Sequence, residues 1–192
     1  MTDLLQQTTR GSRALLDERL RLSTEAMHGA VSRGHAVQAA DAFFFQTCRH
    51  IAAFCDVVLP AVRTQPAGRQ SVKSYVRQAR RLERQVSQAK HRVYGGSQVA
   101  HMSWTTVWDD LGAEFARLMD LEDLLVAELA ARVGPQLAAE YAQRLATAEL
   151  AGPSRPHPHS LHTGPLAHAS RFAWARVDAL WNAAEGRVVA RT

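Results

Sequence analysis

Residues 104–129 read WTTVWDDLGAEFARLMDLEDLLVAEL. Within them Trp104, Trp108, Leu111, Phe115, Leu118, Glu122, Leu125 and Leu129 recur at alternating steps of four and three. That spacing lines the side chains along one stripe of an α-helix, the seam a helix presents when it packs lengthwise against others. One member of the seam, Glu122, is a carboxylate. A charge on a core stripe is costly unless it is paired or coordinated, so Glu122 raises a question that packing alone does not answer.

The same period runs through the rest of the chain, and no segment alternates like a strand between hairpin turns. A first helix is predicted over 12–32, closed by Gly34, with Asp17, Leu20, Thr24, Met27 and Val31 inward. A second is predicted over 36–59 and ended by Pro60, with Phe43, Thr47, His50, Phe54 and Val58 inward. The third covers 71–93 before Gly95-Gly96, with Val72, Val76, Ala79, Leu82, Val86, Ala89 and Val93 inward. The fourth starts after Ser103, a side chain suited to cap a helix N-terminus. Gly134-Pro135 ends it, and a shorter fifth helix is expected over 135–150.

Four long helices with short connections predict an all-α fold, an antiparallel up-down four-helix bundle with additional C-terminal helices. The division expected is 1–150 for the bundle plus the short fifth helix. Residues 151–192 then form a Pro/His-rich loop and a last helix packed on the bundle. That last helix, 166–185, offers Phe172, Trp174, Val177, Leu180 and Trp181 as an apolar face. Phe43, Phe44 and Phe45 in a row leave one aromatic pointing away from the interior, to be covered by Trp174 or Trp181 or, failing that, by a second copy in a homodimer.

A chain of 192 residues with 46% hydrophobic content is one globular domain by length and composition. The first residues, MTDLLQQTTRGSR, contain no apolar leader core. No apolar run approaches the roughly 20 residues of a membrane helix. A cytoplasmic location and no membrane partner are therefore expected. The only cysteines, Cys48 and Cys55, lie about 10 Å apart along one helix. That is too far for a disulfide, and free thiols suit a reducing compartment.

The net charge is +5. Lys73, Arg77, Arg80, Arg81 and Arg84 share the outer face of the third helix. Such a face can bind phosphates, but no aromatics interleave to stack bases. A solvated surface is expected, and nucleic acid is not expected as a partner. His157, His159, His162 and His168 cluster in the tail without the spacing of a zinc site. His28, His35 and His91 fall off the apolar stripes, and His101 precedes the fourth helix. Phosphate-loop, nucleophile-elbow and Cys-x-x-Cys patterns are absent.

Two polar residues thus interrupt the apolar stripes, His50 and Glu122, with Asp17 as a third candidate. The segments HIAAFCDVVLP (50–60) and LMDLEDLLV (118–126), with the tail PSRPHPH (153–159), resemble the hemerythrin-like (HHE cation-binding) proteins of actinobacterial type. The resemblance spans about residues 12–187. It implies a bundle in which each hairpin supplies a His and then a His-x-x-x-Glu to a di-iron centre. Here the ligand motif is degenerate. His50 keeps the second-helix His while Phe54 replaces its Glu. Glu122 keeps the fourth-helix Glu while Leu118 replaces its His. The first-helix His falls on or near Asp17, and the third-helix His near Ala79.

A motif broken in this way implies a protein that has lost the di-iron centre and acts as a binding or interaction module, with no cofactor. An unidentified protein or a small apolar ligand is the expected partner. The alternative is an iron protein handling oxygen, nitric oxide or peroxide, with His50, Glu122 and Asp17 as metal ligands. No catalytic residue is assigned, and whether the chain is an enzyme stays open.

Overall fold

The computed structural model describes residues 4–29, 32–95, 103–156, 170, 173–178 and 180. Among them all regular structure is helical: α1 (Leu4–His28), α2 (Arg33–Arg63), α3 (Gly68–Val93), α4 (Trp104–Ala130) and α5 (Pro135–Ala151). Residues 170, 173–178 and 180 are helical as well.

The seam of α4 packs as its spacing requires. Trp108, Leu111, Phe115, Leu118, Glu122, Leu125 and Leu129 are all buried. Trp104, at the entry, is half-buried under the Arg92 guanidinium, 4.6 Å from the ring centre. Ser103 caps the helix, accepting the Thr106 N–H at 3.0 Å. The α3 stripe is buried too, apart from half-buried Val76, and Tyr75 joins it.

α1 and α3 each pack against both α2 and α4, whereas α2 and α4 touch little. α5 lies on α2 and α1. α2 is therefore enclosed by α1, α3 and α5, and Phe43, Phe44 and Phe45 are all buried. Phe43 meets Phe115 edge-on at 5.7 Å, and Phe44 stacks on Trp108 at 5.9 Å. Phe43 and Phe44 belong to the bundle core, and Trp181, one of the two side chains expected to cover the third aromatic, lies outside the described residues. α2 is long and apolar enough, by length and composition, to cross a membrane, and 78% of its most apolar window is buried here. A helix apolar on nearly every side is what a central core position demands.

Several boundaries differ from those the sequence pattern predicts. α1 starts at Leu4, because Leu5 is fully buried and Thr9 Oγ1 bonds back to the Leu5 carbonyl at 3.1 Å. Its inner line is Leu5, Thr9, Leu16, Ser23 and Ala26, about one residue round from the expected stripe. Ser23 can be buried because its hydroxyl donates to the Arg19 and Ala39 carbonyls at 2.6 and 2.8 Å. Val31 lies outside the described residues. Gly34 opens α2, and Ser32 caps it.

Pro60 does not end α2. Its ring is exposed, so the carbonyl deprived of its partner can be hydrated. One further turn buries Val62, and Thr64 Oγ1 closes the helix on the Ala61 carbonyl at 2.7 Å. Ala67 then adopts φ 59°, the left-handed region. At Gly68 a Cβ would stand 1.9 Å from the Val62 carbonyl oxygen. The α2–α3 turn is thus closed against backbone, which only glycine permits at that contact.

Among its described residues, the last helix is anchored by a carboxylate. Asp178 is buried and accepts the backbone N–H groups of Ser154 and Arg155 at 2.8 and 2.9 Å. Trp174, Val177 and Leu180 are exposed, while Phe172 and Trp181 lie outside the described residues. The two amide donors compensate the cost of burying the charge. Cys48 and Cys55 are buried free thiols. Burial, aided by Glu83 and opposed by Lys90, holds the Cys48 thiol well above its usual pKa.

Candidate functional site

Each of α1 to α5 sends one side chain into a single chain of hydrogen bonds. His50 of α2 is at its centre, 1% exposed. Its Nε2 lies 2.7 Å from Glu122 Oε2 on α4. Its Nδ1 lies 2.6 Å from Glu149 Oε1 on α5. Tyr75 of α3 donates its hydroxyl to Glu122 Oε1 at 2.7 Å. Ser12 of α1 donates to Glu149 Oε2 at 3.2 Å. The order is Ser12, Glu149, His50, Glu122, Tyr75.

The positions follow from the seams. Glu122 is the polar member of the α4 stripe, and His50 that of the α2 stripe. Glu149 continues Ala138, Ala142 and Leu145, which are buried on α5 at steps of four and three. Glu149 is absent from the residues picked out by sequence, although the same 4-3-4 spacing that marks Glu122 also marks it. α5 comes close enough because residue 152 is glycine. A Cβ there would stand 3.2 Å from Arg49 Cα and O, beside His50.

Charge balance decides the state of the imidazole. Burial would lower its pKa, but the Glu122 charge and hydrogen bond, then the Glu149 hydrogen bond and charge, raise it to about 10. His50 is therefore an imidazolium at neutral pH, donating an N–H to each carboxylate. Burial, then the Glu122 charge, pushes the Tyr75 hydroxyl well above its usual pKa. Tyr75 thus remains a donor to the outer oxygen of Glu122. Burying an imidazolium is tolerable only with this degree of pairing.

Phe54 lies fully buried one turn after His50, its ring centre 6.3 Å from the imidazole. It stacks on Tyr75 at 4.8 Å. Ala79 and Leu118 are also fully buried. His50 and Glu122 are brought together, but Asp17 is not with them. The Asp17 side chain is 56% exposed and lies 3.8 Å from Arg13. Arg13 also reaches Asp120 at 3.1 Å and contacts Asp123, tying α1 to α4 on the outer surface. Asp17 faces out because Leu16 takes the inner position.

Among the described residues, no three His, Cys, Asp or Glu converge as a metal cage. His28, His35 and His91 are exposed. His101 and the tail residues His157, His159, His162 and His168 lie outside the described residues. Comparisons with protein-family models, with curated proteins and with solved structures return no match.

Proposed function

We propose that this chain is a non-catalytic binding protein on a hemerythrin-like plan, an antiparallel four-helix bundle whose di-iron centre has been replaced by a buried salt bridge. The observation that carries the reading is the engagement of both His50 nitrogens by carboxylates from different helices. A metal ligand must offer one ring nitrogen to the ion, and the two nitrogens of an imidazole point away from each other. Phe54, Ala79 and Leu118 occupy places that the family plan reserves for ligands, and none can coordinate. Asp17, the third candidate ligand, belongs to the outer surface. The donor set does not fit a two-metal centre.

On this reading the network organises five helices around one point, and recognition takes place on the outer surface. Phe54 stacks on Tyr75 in the interior beside this network. The buried free thiols support a reducing compartment.

The test is metal analysis of the full chain purified after iron-replete expression. Substoichiometric iron and no oxo-to-iron absorption band are expected. Stoichiometric iron that is lost in His50→Ala overturns the reading in favour of an iron protein.

A further inference from the structure

The excess positive charge of the chain is carried by one helix. α3 holds eight Lys and Arg against a single Glu, a net +7 in a chain of net +5, which leaves the remainder at −2. The one acid, Glu83, is buried. On a helix turning about 100° per residue, Arg69, Lys73, Arg77, Arg80, Arg81 and Arg84 fall within an arc of about 120°. The other residues of that arc are Gln70, Ser87, Gln88 and His91. It therefore contains no acid and no large apolar side chain. It lies opposite Tyr75, Ala79, Leu82 and Val86, which are buried.

Outside α3, exposed arginines without an ion pair among the described residues, Arg10, Arg33, Arg63 and Arg144, are spread over three helices. Arg13, Arg21, Arg117 and Arg132 all have carboxylate partners. On α3, Arg69, Lys73, Arg77, Arg81 and Arg84 are exposed, and among the described residues none forms an ion pair. Lys73, Arg77 and Arg81 follow at steps of four, where like charges destabilise a helix. A helix that retains such repulsion carries a surface suited to an anionic partner.

We propose that this face of α3 binds the phosphate backbone of double-stranded nucleic acid, without reading its sequence. Four of the five exposed cations are arginines, whose guanidinium forks match phosphate oxygens. From Arg69 to Arg84 the face extends about 22 Å, the length of about six base-pair steps. It has no aromatic to stack on single-stranded bases and no apolar residue to enter a lipid surface. Contacts made only to phosphates position a protein and carry no sequence information. The proposal rests on the outer face alone and is independent of whether the core holds a metal.

The experiment is fluorescence anisotropy of the full chain with a labelled mixed-sequence DNA duplex of about 20 base pairs, as salt rises from about 50 to 200 mM. Five phosphate contacts give a log–log slope of about −4.5, a several-hundredfold loss of affinity over that range. The triple variant Arg77→Glu, Arg81→Glu, Arg84→Glu is expected to abolish binding while keeping the wild-type circular dichroism. The off-face variant Arg132→Gln is expected to bind like the wild type. A second duplex of unrelated sequence competes equally, and vesicles of phosphatidylserine and phosphatidylcholine compete poorly. No binding at the low-salt end, a slope near zero, unchanged binding by the folded triple variant, or stronger competition by the vesicles than by the duplex overturns the proposal. Should the triple variant not fold, Arg77→Gln with Arg81→Gln is expected to reduce the slope by about two, and an unchanged slope overturns the proposal.

Discussion

Replacing His50 by Leu removes the only cation from the buried network and leaves Glu122 and Glu149 facing an apolar side chain. Their side chains are 4% and 12% exposed, and each loses a charged partner at 2.6–2.7 Å. Removing one partner of a buried ion pair costs about 3–5 kcal/mol. That is at least about a fifth of the stability of an ordinary domain, about 5–15 kcal/mol. Denaturant unfolding at pH 7, followed by circular dichroism, should show the loss as a lower midpoint with an unchanged slope.

The pH dependence carries a sign that tests the charge itself. His50 binds its proton more tightly in the folded protein, with a pKa of about 10 against 6.5. Its stabilisation is complete below about pH 6.5 and is lost as pH rises towards 10, with a limiting slope of about 1.4 kcal/mol per pH unit. The wild type should therefore weaken between pH 7 and 9.5, and the difference from His50→Leu should shrink over the same window. Removing all the charges together is a different perturbation. The quadruple variant His50→Leu, Tyr75→Phe, Glu122→Leu, Glu149→Leu should unfold within about 2 kcal/mol of the wild type. A cost below about 1 kcal/mol for His50→Leu, or a gap from wild type that does not change between pH 7 and 9.5, would refute the charged network.

Tyr75→Phe deprives Glu122 of its second donor and should cost about 1–2 kcal/mol in the same unfolding assay. Asp17→Ala should change stability by no more than about 0.5 kcal/mol, and a larger effect on metal content or folding would return Asp17 to the site. Ala67→Gly relieves a left-handed backbone at φ 59° and should raise stability by up to about 1 kcal/mol in thermal unfolding. Asp178→Ala orphans the amides of Ser154 and Arg155. Hydrogen exchange at those two amides should accelerate, with unchanged protection there counting against the anchor.

Much of the helical plan is legible in the sequence because a single period governs it. The α3 and α4 stripes, the Ser103 cap and the buried thiols each lie where spacing or chain length places them. α1 is harder to read. Its inner line mixes Thr9, Leu16, Ser23 and Ala26, and a helix whose polar residues satisfy themselves on carbonyls hides its own face. Pro60 misleads in the same way, since a proline ends a helix only where its ring or missing donor cannot be accommodated. The last helix offers an apolar face in sequence, yet among its described residues the buried one is Asp178.

The sequence alone determined that the chain is helical, that His50 and Glu122 lie on core stripes, and that basic residues gather on one side of α3. These are local properties, set by steps of three and four along one chain. Only the tertiary structure decided that His50 and Glu122 meet, that Glu149 closes the other side of the ring, and that Asp17 does not take part. Those contacts join residues 72 and 99 positions apart. They depend on how α2, α4 and α5 are rotated and how closely they approach. Packing sets those rotations and distances, and no single helix encodes them.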